Sequence, residues 1–225
     1  MSSICQGVVL SITPYKESSA MVHLLSKEYG LLRFVLQGFY KPTSKMQSLG
    51  IPFSQVEYRT DYKENRLLKA YGGQLLESYA DVRSDYDWLL MMSLVSELIV
   101  DHFDNDYREE LYLQMVDNLK GLDLKKILKL LVRIIAMAGL HPYLLGCVVC
   151  DDHRINAFSI EEGGYTCQLH SKSKDSYDYL VLLGQLFNEK EIGDSSPELY
   201  MQTLKSMVLY LEYHSNIKNN TIQLL

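Results

Sequence analysis

The sequence has no run of the roughly 18 uninterrupted apolar residues that a membrane span requires, and Met1-Ser-Ser-Ile-Cys-Gln-Gly7 has neither the basic nor the apolar region of a secretory signal. A soluble, cytoplasmic chain is expected. Cysteine is scarce, with four residues (Cys5, Cys147, Cys150 and Cys167) in 225. Three of them fall within 21 positions, and in a reducing compartment such clustering points to metal ligation rather than disulfides. The signatures of common enzymes are also missing: there is no Gly-x-Ser-x-Gly, His-Glu-x-x-His or Gly-x-Gly-x-x-Gly. Gly38-Phe-Tyr-Lys-Pro-Thr-Ser-Lys45 has the outline of a phosphate-binding loop, but Thr43 stands where the second glycine belongs. Acidic pairs such as Glu109-Glu110 read as solvated, and His23, His102 and His214 have no nucleophile or paired carboxylate at a telling spacing. No repeat or low-complexity tract is present, and a non-enzymatic protein is expected.

What the chain does have is an ordinary globular composition, 47% hydrophobic and 22% charged, which excludes disordered and fibrous classes. Its length is near the upper limit for one core, so two compact units are expected. The formal charge of −6 is unevenly spread: residues 1–80 hold nine Lys/Arg against six Asp/Glu, whereas residues 81–225 hold 13 against 22. Such asymmetry is read either as separate partners for the two halves or as ordinary surface charge.

The first eighty residues show strand patterning. Gly7–Ile12, Ala20–Leu25 and Leu31–Gln37 are short apolar-rich runs separated by turn-prone segments, followed by Phe53–Arg59 and by Leu67–Tyr71 continuing past Gly72-Gly73 to Glu77. Five short strands in this length predict a small Greek-key barrel of the OB type. From Ser84 the apolar period lengthens to three and four, predicting helices that contain Trp88–Ile99, Leu111–Leu119 and Leu124–Ile135. Ser84 and Asp123 are expected as N-caps, Gly121 and Gly139 as helix stops, and Pro197 as a first-turn proline after Ser196. Further helices are expected over about 175–189 and from Pro197 to about His214.

Three groups of residues carry candidate chemistry. Cys147-Val-Val-Cys150, then 16 residues, then Cys167-Gln-Leu-His170 has zinc-ribbon spacing, with soft thiolates and an imidazole suited to a closed, structural zinc site. His153 competes for the fourth place, and a degenerate knuckle with unligated thiols is the alternative. Between the knuckles, Asn156–Ile160 and Gly163-Gly164 predict a hairpin. The loop carrying Phe39, Tyr40, Lys41 and Lys45 pairs aromatics with bases, as single-stranded nucleic acid requires. Arg33, Arg59 and Arg66 extend that track, and a surface loop packed on the barrel is the bland reading. Lys125, Lys129 and Arg133 form a basic stripe at four-residue steps. The stripe is either a solvated face or a dock for an acidic peptide or phosphate.

Taken in order, Gly7-Val-Val-Leu, Tyr15–Leu25, Glu28-Tyr-Gly-Leu31, Gln37–Ser44, Gly139-Leu-His-Pro142, the Cys-x2-Cys pair, Gly163-Gly164, Cys167 and Tyr210-Leu-Glu-Tyr-His214 resemble the RecO family of bacterial DNA repair and recombination mediators. The resemblance implies an α+β multidomain chain. An OB-fold nucleic-acid-binding domain would span residues 1–80, and a helical domain over 81–225 would carry a zinc-binding insertion at about 140–170. It implies binding of single- and double-stranded DNA, strand annealing, nucleoid association, and work with RecR and the single-strand-binding protein to load recombinase. The acidic tail of the single-strand-binding protein would then occupy the Lys125, Lys129 and Arg133 stripe. Two departures stand out: His170 replaces the family's fourth zinc cysteine, and the loop after Gly38 carries Phe39 and Tyr40 where bases are commoner. A non-enzymatic zinc-ribbon factor that bridges other proteins is the alternative.

Overall fold

The structure, a computed structural model, describes residues 3–224; Met1 and Ser2 of the N-terminal segment read above lie outside the described residues. The chain divides into two compact units between Leu122 and Asp123. The change from strand to helix falls near residue 80, as the apolar period implies, but the helices that follow it up to Leu122 group with the strands.

The first unit is built on six strands: β1 Ser3–Tyr15, β2 Ser19–Ser26, β3 Gly30–Leu36, β4 Gln55–Thr60, β5 Leu68–Ala70 and β6 Gly72–Glu77. They form one sheet in the order β5-β3-β2-β1-β4-β6. Every neighbouring pair is antiparallel except β3 and β5, which are parallel. Period-two alternation sends Val22, Leu24, Leu32, Phe34, Leu36, Val56 and Tyr58 into one core. At its centre Tyr58 donates its hydroxyl to the Leu49 carbonyl, and burial pushes the phenol pKa upward. β1 serves two partners: its first half pairs with β4 and its second with β2, and a bulge between Val9 and Ser11 bends the strand between those tasks.

The fifth strand expected over Leu67–Glu77 is divided at Tyr71, whose N–H donates to the Arg59 carbonyl at 2.9 Å. The reason is tertiary. β5 pairs with β3 and β6 with β4, so consecutive residues must reach both edges of the sheet, and a straight strand cannot. Just past this break β6 approaches β4 closely at Gly73, where a Cβ would stand 2.0 Å from the Glu57 carbonyl oxygen.

Three helices complete this unit: α1 Ala80–Ser84, α2 Tyr86–His102 and α3 Arg108–Asn118. The expected cap at Ser84 is displaced by one residue. Ser84 ends α1, while the Asp85 carboxylate accepts the Trp88 N–H at 2.9 Å and starts α2; a charged acceptor is favoured at the positive helix end. Gly121 is not the stop of α3, which closes on Leu119, two residues earlier.

The second unit holds α4 Leu124–Met137, a hairpin of β7 Ile155–Ser159 and β8 Gly164–Cys167, α5 Tyr177–Phe187 and α6 Pro197–Ser215. Here the expected signals operate as read. Asp123 caps α4 by accepting the Lys125 N–H at 2.9 Å, and Ser196 caps α6 with Pro197 in its first turn. Gly139, at φ 71°, closes α4 as the Leu140 N–H reaches the Ile135 carbonyl at 3.1 Å. One face of α4, including Ile127, Leu131 and Ile134, is buried, with α6 as its main neighbour. Among the described residues, no helix is long and apolar enough to cross a membrane.

Candidate metal centre and nucleic-acid interface

Two tight turns hold the clustered cysteines. In the first, the Asp151 N–H donates to the Cys147 carbonyl at 2.7 Å and the Cys147 N–H to the Asp152 carbonyl at 2.9 Å. In the second, the N–H groups of His170 and Ser171 donate to the Cys167 carbonyl at 3.1 and 2.9 Å. The hairpin brings the turns together: the Val148 N–H donates to the Tyr165 carbonyl at 2.8 Å, on the strand that ends in Cys167. Gly164 allows Tyr143 to close on the same strand, since a Cβ there would lie 2.3 Å from the Tyr143 carbonyl oxygen. Tyr143 in turn donates its hydroxyl to Asp151 at 2.6 Å.

The outcome is a cluster in which the donor atoms of Cys147, Cys150, Cys167 and His170 all lie within 4.8 Å of one another. His170 Nδ1 is 3.3 Å from the Cys167 sulfur and 3.6 Å from that of Cys147, and the Cys150 and Cys167 sulfurs are 3.7 Å apart. His153 points elsewhere, its Nδ1 bonded to the Leu145 carbonyl at 3.1 Å. Burial pushes the Cys147 thiol pKa up, but backbone N–H groups of Cys167, Val149 and Cys150, with the His170 side chain, outweigh it and bring the value to about 6. The thiolate is the metal-binding form. Three sulfurs and one imidazole converging in this way could hold a metal ion, and the donor set is that of a closed tetrahedral site.

The aromatic and basic loop lies at one end of the sheet. Residues 37–46 leave β3 there and meet the β1–β2 turn, with the Tyr40 N–H bonded to the Ser18 carbonyl at 3.0 Å. Phe39 packs against the core, edge-on to Tyr40 with ring centroids 5.0 Å apart, whereas Tyr40 is exposed. Lys41 and Lys45 are exposed beside it. The β1–β2 turn adds two residues that the sequence reading missed, Tyr15 and Lys16, whose ammonium sits 5.3 Å from the Tyr15 ring centroid. Their only sequence signal was a basic-aromatic pair in a predicted turn; the register of β1, β2 and β3 brings them to this end. Arg33, Arg59 and Arg66 are exposed but belong elsewhere, Arg33 on β3, Arg59 on β4, and Arg66 in the connection before β5.

The basic stripe of α4 is partly engaged within its own unit. Lys125 pairs with Asp194 at 2.5 Å and Arg133 with Glu189 at 3.5 Å, while Lys129 is exposed. Asp123, two residues before Lys125, spends its carboxylate on the helix cap.

The chain is similar to known proteins over most of its length. Residues 1–79 match the family described as recombination protein O, N terminal. The chain is 29% identical to the DNA repair protein RecO of Bacillus pumilus over 94% of this chain and 89% of that protein. It is 26% identical to the protein of the same name from Exiguobacterium sibiricum, over 95% and 92%, and to that from Bacillus subtilis, over 96% and 91%.

Proposed function

We propose that the chain, similar to RecO proteins over most of its length, is of the RecO type and acts in DNA repair and recombination as a mediator. In this role it binds single-stranded DNA, anneals complementary strands and helps load recombinase onto DNA coated with single-strand-binding protein, with RecR as a further partner. The observation that carries the proposal is the joining of two loops at one end of the sheet by the Tyr40–Ser18 backbone bond, the two loops together carrying the exposed Lys16, Tyr40, Lys41 and Lys45. Cations there neutralise phosphates while an aromatic face stacks a base without reading sequence. The sheet itself is proposed to be a closed OB-type barrel. The support is its order together with the adjacency of β5 and β6 in the chain, which makes them two halves of one edge-joining fifth strand.

The residues proposed to hold a structural zinc ion are Cys147, Cys150, Cys167 and His170. When bound, zinc supplies a four-way crosslink with no place left for a reacting water. The protein's own part is to hold the two turns and the hairpin in register. Lys125, Lys129 and Arg133 are proposed as the dock for an acidic tail, Lys129 being the exposed member. A second reading, a factor that bridges proteins, is favoured by the apolar side chains displayed around the knuckles: Leu169 is 87% exposed and Leu145 71%.

A salt series of oligonucleotide binding, read by fluorescence anisotropy, tests the main reading. The Lys41→Ala, Lys45→Ala variant should lower the slope of log K against log salt by up to about one unit for each lost phosphate contact. Identical affinity and slope for the variant and the parent would move the DNA surface away from this end of the sheet.

A further inference from the structure

Arg33 and Arg66 do not share the loop cluster just described. β2 leaves that cluster at Ser19 and ends at Ser26, and β3 returns from Gly30. β5 runs parallel to β3 and begins opposite Phe34, so the connection of residues 61–67 before it, like the turn before β3, lies away from the Leu36 end at which the loop cluster leaves the sheet. There Arg33 and Arg66 line one pocket of about 400 Å³ with Tyr29, Tyr62, Glu64 and Asn105. The Tyr29 and Tyr62 rings, with centroids 4.4 Å apart and planes at 35°, form a tilted pair in its wall. Neither arginine has an ion-pair partner among the described residues.

Two unpaired guanidinium forks on a small concave site are matched to an oxyanion with several equivalent oxygens, and phosphate is the fit. The volume falls within the range of small-ligand sites. Two cations against the single Glu64 carboxylate leave a surplus of positive charge. A phosphodiester inside a strand carries one negative charge and needs a groove open at both ends. A phosphate monoester carries close to two charges at neutral pH and has a nucleotide on one side only, which suits a pocket. Tyrosine rings and the Asn105 amide beside the arginines then face the attached nucleoside.

We propose that this pocket binds the phosphate monoester of a nucleotide, held by Arg33 and Arg66 beside the Tyr29–Tyr62 pair. The chemistry has two sources, the phosphorylated end of a DNA strand and a free nucleoside monophosphate. The inference rests on the reading of the chain as a DNA-binding protein and adds end recognition to it.

The test measures binding of the full chain to one short oligothymidylate prepared with a 5′-phosphate, a 3′-phosphate or hydroxyls at both ends, with thymidine monophosphate as competitor. A phosphate at one end should tighten binding about tenfold, the yield of a charge-assisted hydrogen-bond pair. Arg66→Ala and Arg33→Gln should each erase the difference between phosphate and hydroxyl ends, Glu64→Gln should widen it, and Lys41→Ala, Lys45→Ala should weaken all three forms while keeping it. Loss of the phosphate-end advantage on adding thymidine monophosphate assigns the pocket to free nucleotides as well, and an unaffected advantage assigns it to strand ends. Equal affinity for the three ends, with the arginine variants weakening all alike, would overturn the inference and leave DNA binding standing. Absence of binding to every oligonucleotide, with no uptake of thymidine monophosphate, would overturn both.

Discussion

His23 illustrates how much a single residue's surroundings decide. It stands on β2 opposite Arg33 of β3 and Ser11 of β1, with its Nδ1 3.0 Å from the Ser11 hydroxyl. Glu97 and Asp101 of α2 line the same pocket. Burial lowers its pKa from 6.5, Arg33 lowers it further and Asp101 opposes them. A histidine with a depressed folded pKa binds fewer protons folded than unfolded, so stability rises with pH across that interval. The stabilisation is present above the unfolded value and is lost as pH falls through the folded one. His102 shifts in the same direction, again chiefly through burial. Urea melts at a series of pH values below 7 should therefore show a shallower acid-side decline for His23→Gln than for the parent; parallel curves would remove His23 from the account. His170 is the second residue-scale case. Metal analysis should find about one zinc per chain, kept by His153→Ala and lost or weakened by His170→Ala. Full occupancy in His170→Ala would reassign the fourth ligand.

Elements differ in how far local sequence determines them. The cap at Asp123, the stop at Gly139 and the start at Ser196-Pro197 were legible because each acts within one helical turn. The hairpin between the knuckles was legible for the same reason. The division of residues 67–77 was not, because it is imposed by β3 and β4 lying toward opposite edges of the sheet. Ser84 and Asp85 are adjacent cap residues, and only the presence of α1 decides between them. Gly73 offers the element-scale test. Adding a methyl group forces the β4–β6 pairing to open, and Gly73→Ala should cost about 1–3 kcal/mol in urea unfolding, the range for forced backbone shifts. Gly121, with nothing within 4 Å of an added Cβ, is the matched control and should be near neutral as alanine. Equal midpoints for the two variants would mean that the close approach at Gly73 does not constrain the sheet.

At the scale of the whole molecule, the candidate sites differ in legibility for one physical reason, the sequence distance over which their residues meet. The cluster of Cys147, Cys150, Cys167 and His170 was readable because two x2 knuckles are local and only the 16-residue interval between them had to fold back, which the hairpin does. The loop cluster proposed to bind nucleic acid was half readable. Lys41, Lys45 and Tyr40 lie in one loop, but Lys16 and Tyr15 join them only through strand register, and Phe39 turns inward. The stripe on α4 was visible as a helix face, whereas its pairing of Lys125 with Asp194, 69 positions away, was not. Separation of the arginines from the lysines, toward different ends of β2 and β3, also needed the fold.

The central claim is that the loops joined at residues 15–18 and 37–46 bind single-stranded DNA in a way that promotes pairing. Annealing of two complementary labelled oligonucleotides, followed by energy transfer with the full chain at moderate salt, tests it most directly. The account predicts that the parent protein accelerates annealing well above the spontaneous rate, and that Lys16→Ala, Lys41→Ala, Lys45→Ala abolishes the acceleration while urea unfolding stays unchanged. A spontaneous rate with the parent, or an undiminished acceleration with the folded triple variant, would contradict it.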